Sequence, residues 1–196
     1  MYYILNIKRQ TEKDLILKGS LYNSNNEMVK AIFYDGKPVK DQLNGMLTII
    51  VNEKDTTKGD LTDKLAGSAG TAGFVLMINQ LVKKVFDDLG IENMEYFPLD
   101  IKGKNINTKN YFIGNVLGKI DCIDAENSEI EYKPNGNVED VEKLVLDEPK
   151  IPKDLKIFLL GKFTSAEFVV HQSVKDAIEA KKITGFTFTP IDKFTK

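Results

Sequence analysis

The segment FVLMINQLVKKVFDDLGIENMEYFP, residues 74–98, predicts a strand, a helix and a second strand. FVLMI is a short apolar run typical of a buried strand, and Asn79 follows it as a suitable helix N-cap. Apolar residues then recur at helical spacing until Gly90, a residue type that commonly ends a helix. MEYFPL resumes β character, and we expect this strand to end at Pro98.

The same order of elements recurs in residues 168–190. FVVH predicts a strand, SVKDAIEAKK a helix capped by Ser173, and GFTFTP a strand that ends at Pro190. Two explanations stay open: the chain contains an internal duplication, or two ordinary units have converged on one pattern.

Further strand candidates surround these two units. They are YYILNI, KAIFYDGKPV, GMLTIIVNE, GKIDCID, VEKLVLDE and LKIFLLGK. Asp35-Gly36 and Asn135-Gly136 are turn dipeptides of the kind found in hairpins. We therefore expect an α+β fold, strand-rich with about two main helices, in one compact chain. The 196 residues suit a single domain, 1–196, with two subdomains, 1–100 and 101–196, as a further option.

A glycine-rich stretch, LAGSAGTAG, precedes the first unit and covers residues 65–73. Gly67, Gly70 and Gly73 raise the question of a phosphate-binding loop. A Walker loop needs four residues between its glycines and then Lys-Ser/Thr, and a dinucleotide fingerprint needs a strand before it and a helix after it. Both contexts fail, because a polar stretch precedes the glycines and an apparent strand follows them. We therefore expect a mobile linker, since such small residues bury little area.

Composition excludes several classes of site. The net charge of −2 argues weakly against a nucleic-acid binder. The single cysteine cannot form an intrachain disulfide, and with the single histidine it cannot form a Cys/His zinc cluster. No apolar run approaches the ~18 residues of a membrane span. MYYILNIKRQ is unlike a signal peptide. We expect a protein made and kept in the cytoplasm, with no metal, no cofactor, no nucleic-acid partner and no membrane partner.

Acidic residues are concentrated between Asp121 and Glu148. Ten acids and two lysines give this segment a charge of −8. It is either a solvated edge or a surface that steers a basic partner. The candidate contact residues are Asp121, Asp124, Glu126, Glu129 and Glu131. The same residues do not match a calcium loop, because DCIDAENSEIE lacks the central glycine and the alternating ligands.

The two residues best suited to covalent or acid–base chemistry lack a catalytic context. His171 stands at a strand-to-helix junction without a nucleophile elbow. Cys122 alternates with acids in an apparent strand, and neighbouring carboxylates would raise the pKa of its thiol. We expect structural roles for both and no catalytic residue.

The segment NYFIGNVLGKIDCIDAENSEIEY resembles family eleven of the immunity proteins of bacterial polymorphic toxin systems, formerly a domain of unknown function. The resemblance rests on an aromatic pair, Asn-Val and a D-x-x-D-x-x-x-S turn, and on IF followed by FVVHQSVKDAIEAKKITGFTFTP near the C-terminus. The residues that match in the first segment are Tyr111, Phe112, Asn115, Val116, Asp121, Asp124 and Ser128. The glycine-rich stretch is not part of this pattern.

The resemblance implies an immunity protein that binds a cognate toxin effector domain and neutralises it without catalysis or a cofactor. Without an export signal it would meet a toxin with a cytoplasmic target, such as nucleic acid or a nucleotide. An acidic segment facing a basic nuclease cleft would mimic phosphates.

Two other classes stay open from the sequence. One is a small nucleotide-binding protein or enzyme that uses the glycine-rich stretch 67–73. The other is an oligomeric interaction protein with exposed strand edges, and the sequence leaves the oligomeric state unknown.

Overall fold

The structure is a computed structural model, and it describes residues 1–6, 11–30, 33–43, 45–70 and 75–196. Its described part is strand-rich with two α-helices, which confirms the expected α+β class. The strands form a closed barrel, a five-stranded sheet and a two-stranded hairpin.

The barrel closes through six strands in the order β2-β3-β6-β7-β5-β4. These strands are β2 (Ile16–Tyr22), β3 (Leu47–Val51), β4 (Lys64–Ala69), β5 (Leu76–Asn79), β6 (Met94–Lys102) and β7 (Asn107–Val116). Inward-facing side chains from all six fill it, including Leu17, Leu47 and Ile113. Side chains therefore fill the interior of the barrel. Because the barrel is closed, none of its six strands is an edge strand.

The glycine-rich stretch is not the expected linker where the structure describes it. Residues 64–69 form β4, which pairs in parallel with β2 and so closes the barrel. Gly67 lies opposite Leu17 with φ +152°, and a Cβ on Gly67 would stand 1.9 Å from the Leu17 carbonyl oxygen. Small residues let two backbones approach here, so the linker prediction is wrong for 65–69. Residues 71–74 lie outside the described residues.

The five-stranded sheet has the order β13-β1-β12-β11-β8. Its strands are β1 (Tyr2–Asn6), β8 (Lys119–Ile120), β11 (Ile157–Leu160), β12 (Phe168–His171) and β13 (Thr187–Pro190). Both faces are buried, because alternate residues of β11 and β12 enter two different cores. This explains the unbroken apolar runs IFLL and FVV.

Helices α1 (Gln80–Asp88) and α2 (Gln172–Ala180) pack against one face of this sheet. Val82, Phe86 and Val174 share a core with the outward-facing Leu76 and Ile78 of the barrel strand β5. The helices therefore join the barrel to the sheet. The opposite face of the sheet is covered by residues of the segment 120–151.

The helix caps were predicted with mixed success. Asn79 caps α1 as expected, since its Oδ1 accepts hydrogen bonds from the amides of Leu81 at 3.0 Å and Val82 at 3.1 Å. Ser173 is not the cap of α2. That cap is His171, whose Nδ1 accepts from the Ser173 amide at 3.2 Å.

Several strand predictions were wrong in their extent, and within GKIDCID and VEKLVLDE only Lys119–Ile120 and residues 141–143 belong to strands. β6 does not end at Pro98 but continues to Lys102. Proline has no amide hydrogen to donate, and β6 tolerates it at this position because the pairing of β6 with β3 starts only at Leu99. Within KAIFYDGKPV, the described residues 33–39 contain no strand. Phe33 and Val39 instead insert into the barrel core, and the chain turns at residues 33–34 and bends at Asp35, ahead of Gly36 with φ +69°.

The two similar units lie in different sheets. β5 and β6 belong to the barrel, whereas β12 and β13 belong to the open sheet. A duplication stays a prediction, as does the division of the chain into one domain or two subdomains.

Candidate functional site

The acidic segment folds as a hairpin on the outer side of the five-stranded sheet. β9 (Glu129–Tyr132) and β10 (Val138–Lys143) pair antiparallel around the turn at Asn135-Gly136. The Gly136 amide donates to the Lys133 carbonyl at 2.8 Å, and Gly136 has φ +80°, which suits glycine. The asparagine-glycine turn was therefore predicted correctly from the sequence.

One face of the hairpin is apolar and the other is acidic. Ile130, Val138 and Val141 face the sheet and join its outer core. The opposite face carries four exposed carboxylates that line a shallow cleft of about 280 Å³, namely Glu129, Glu131, Asp140 and Glu142. Among the described residues, none of these four makes an ion pair.

The pairing register places one pair of like charges side by side, whereas Lys143 lies opposite Glu129. Glu131 lies directly opposite Asp140 in the antiparallel ladder. Carboxylates opposite one another destabilise a strand pair. The Glu131–Asp140 pair therefore lowers the stability of the hairpin. This unfavourable pair is the physical reason why the acidic face is a candidate binding site.

The five residues singled out from the sequence do not form one patch. Glu129 and Glu131 belong to the acidic hairpin face. Asp121 is exposed and pairs with Lys162 at 3.3 Å, and Glu126 is exposed in the turn before β9.

Asp124 organises the turn that leads into β9. Its Oδ1 accepts from the amides of Glu126 and Asn127, both at 3.2 Å, and its Oδ2 accepts from the Asn127 side chain at 2.7 Å. These hydrogen bonds lower the pKa of the Asp124 carboxyl, and the bond from the Asn127 side chain has the largest effect. Asp124 is a turn residue of the Asx type, and this role accounts for its place in the D-x-x-D-x-x-x-S pattern.

Sequence reasoning passed over Asp140 and Glu142 as contact residues, although it counted them in the acidic segment. The missing step was the register of the hairpin. Folding the segment around Asn135-Gly136 brings β10 beside β9 and places these two acids beside Glu129 and Glu131.

Cys122 and His171 have structural positions. Cys122 is fully buried. Burial raises the pKa of its thiol to about 12, and the Asp121 carboxylate is the next largest contribution to this rise. His171 caps α2. Burial lowers the pKa of its imidazole, and the positive charge of the Met1 amino group is the next largest cause. Neither side chain is arranged as an activated nucleophile or base.

Two further observations concern metal binding and membrane-spanning helices. In the part of the chain that the structure describes, no three His, Cys, Asp or Glu side chains are grouped to hold a metal ion. Neither described helix has the length and apolar character needed to cross a membrane.

A family model described as "Immunity protein family (Imm11)" matches residues 23–193. The match covers the barrel strand β3, the acidic hairpin and both helices. A search of curated proteins found no match.

Proposed function

The chain belongs to the Imm11 immunity protein family, and from this premise we propose that it binds a cognate bacterial toxin and neutralises it. The inhibition is stoichiometric, and the chain needs no cofactor for it. The structural positions of Cys122 and His171 support a non-catalytic role.

We propose that the acidic hairpin face is the surface that meets the toxin. The observation that carries this is the Glu131–Asp140 pair, two exposed carboxylates held opposite each other at a cost to the hairpin. A basic cleft on the toxin would relieve the repulsion. It would also speed association, because complementary charge raises the encounter rate. Asp121, Asp124 and Glu126 flank this surface in the same proposal.

The charge suggests the class of toxin. A basic cleft is typical of a domain that acts on nucleic acid or on nucleotides, and carboxylates of the hairpin would stand in for phosphates. Such targets are cytoplasmic, so we propose that the encounter takes place in the cytoplasm.

The test is binding to the effector domain encoded by the neighbouring toxin gene, in a form with its active site inactivated. We expect co-elution with the wild-type chain and an affinity that falls as salt rises. The variant Glu131→Lys/Asp140→Lys is expected to weaken binding by at least about tenfold, chiefly through a slower association rate.

The matched control is Asp41→Lys/Glu92→Lys, which changes the net charge equally at two exposed acids outside the segment 121–148. The hairpin proposal is wrong if both double variants bind like the wild type with the same salt dependence. The proposed function itself is wrong if the wild-type chain neither binds the effector domain nor protects cells that express the active toxin.

A further inference from the structure

One edge of the acidic hairpin has no strand beside it in the part of the chain that the structure describes. β9 pairs with β10 alone, and the two strands form a sheet of their own. The other edge of the hairpin, along β10, is occupied, because the Val138 amide donates to the Lys162 carbonyl at 2.8 Å. Val141 and Lys196 also exchange two backbone hydrogen bonds of 3.0 Å at that edge. The free edge is therefore that of β9.

The hydrogen bonds of β10 show which backbone groups of β9 face outwards. Val141 uses its amide and carbonyl on the side away from β9, and it lies opposite Ile130. Two residues opposite each other in an antiparallel pair direct their backbone groups either at each other or both away. Those of Ile130 therefore point away from β10, and so do those of Tyr132, which lies opposite Val138. No hydrogen bond joins these outward groups to another described residue.

Solvent reaches this edge. Glu129, Glu131 and Tyr132 are exposed, and Ile130 is half-buried. A row of unpaired amides and carbonyls at the edge of a sheet can pair with another extended chain. In such a complex the backbone hydrogen bonds give affinity, and alternate side chains of the added strand face opposite sides of the sheet. The β9 edge thus has the features of a site for strand addition.

The acidic side chains of β9 select which extended chain can pair with it. Glu129 and Glu131 lie two residues apart and so share one face. Lys143 lies opposite Glu129, but residues 129–143 contain five acids and only two lysines. A second copy of β9 added in antiparallel pairing would bring the glutamates of both copies together, which is unfavourable. A strand that presents lysine or arginine on this face would meet opposite charge instead.

We propose that the toxin adds an extended segment to the β9 edge, with lysine or arginine at the alternate positions that face Glu129 and Glu131. The inference rests on the proposed function and states how the toxin binds the hairpin. The intervening residues of the segment would lie on the side of Ile130 and Tyr132, so apolar side chains suit those positions.

Removing one outward amide tests the proposal. Tyr132→Pro takes away an amide hydrogen that does not point at β10, so the hairpin can keep its own pairing. Tyr132→Val is the matched control, because it loses the same ring, which lies 5.7 Å from the Lys162 ammonium, but keeps the amide. With the inactivated effector domain as the probe, Tyr132→Pro is expected to weaken binding by at least about tenfold and Tyr132→Val by less than about threefold. Thermal unfolding establishes which variants are folded.

A second measurement needs no variant and decides the matter should Tyr132→Pro not fold. Amide hydrogen exchange is compared in the wild-type chain alone and with the inactivated effector domain. The Ile130 and Tyr132 amides are expected to exchange at least about tenfold more slowly in the complex, because each gains a hydrogen bond, whereas the exposed Glu92 in the loop before β6 is unchanged.

The outcomes separate the two proposals. Unchanged affinity in a folded Tyr132→Pro chain, an equal loss in Tyr132→Val, or unchanged exchange at Ile130 and Tyr132 in the complex overturns the inference, while wild-type binding leaves the proposed function standing. A wild-type dimer that Tyr132→Pro dissociates would assign the edge to a second copy and overturn the inference too. Absence of wild-type binding overturns both proposals.

Discussion

Replacing Gly67 by alanine tests whether the barrel depends on close approach at its seam. The new Cβ would lie 1.9 Å from the Leu17 carbonyl oxygen, 2.8 Å from its carbonyl carbon and 3.0 Å from its amide nitrogen. All three are backbone atoms, so no side chain can rotate away. β2 and β4 must therefore separate by more than about 1 Å to reach ordinary contact distances of about 3.5 Å.

Two terms set the size of the effect. Overpacking of a well-filled interior costs about 1–3 kcal/mol, and a non-glycine residue at positive φ costs about 1–3 kcal/mol more. Alanine recovers about 0.4–1 kcal/mol by restricting the unfolded chain. We expect Gly67→Ala to lower the free energy of unfolding by about 2–5 kcal/mol, a large part of the 5–15 kcal/mol typical of a domain.

The measurement is urea unfolding followed by far-ultraviolet circular dichroism, which suits a chain without tryptophan. Gly136→Ala is the matched control, because Gly136 also has positive φ, +80°, but a Cβ there meets nothing within 4 Å. The control isolates the backbone strain from the close approach. If the two variants lose the same free energy of unfolding to within about 0.5 kcal/mol, close approach at the seam is not what requires glycine.

Three further predictions concern buried and capping polar groups. Burial alone would raise the pKa of Asp63, but hydrogen bonds from Thr184 and Asn79 outweigh it and lower the pKa. Asp63→Ala should therefore cost about 1–3 kcal/mol at pH 7 and less as the pH falls below about 4, in urea titrations across pH. Asn79→Ala should lose about 1 kcal/mol through the missing α1 cap, with Asn79→Ser as the control, because serine keeps a capping oxygen and, like alanine, loses the hydrogen bond to Asp63. Burial lowers the pKa of Lys64 to about 8, so between about pH 8 and 10 the unfolded chain binds a proton at this lysine that the folded chain has lost, and Lys64 adds stability as the pH rises. The raised pKa of the Cys122 thiol acts in the opposite direction, so the measurement is the free energy of unfolding of the wild type minus that of Lys64→Met, which should rise over this range. A difference that stays constant with pH would contradict this assignment.

Local patterns in the sequence were enough to predict the elements with strong local signals. The apolar spacing between Asn79 and Gly90 predicts α1 and its cap, and the asparagine-glycine dipeptide predicts the hairpin turn. These features depend on neighbours within a few residues, so a single sequence contains what is needed to find them.

Features that depend on distant partners could not be predicted in the same way. β4 is a strand because Gly67 lets it lie against β2, about fifty residues earlier, whereas local composition alone favours a linker. Phe33 and Val39 look like strand residues but enter the barrel core from a loop, where the Glu95 carboxylate accepts the Val39 amide at 2.9 Å. The acidic face of the hairpin could be predicted only in part, because its charge is visible in the local sequence and its cross-strand pairing is not; its role in binding stays a prediction.

The place of β1 in the five-stranded sheet has a consequence for synthesis. β1 leaves the ribosome well before its two neighbours, β12 and β13, with which Tyr3 pairs at Val170 and Leu5 at Phe188. At about 5–20 residues per second, β1 waits roughly 10–30 s for these partners, while the barrel can already close. Translation thus sets a lower limit on the delay between the start of a new chain and its finished sheet.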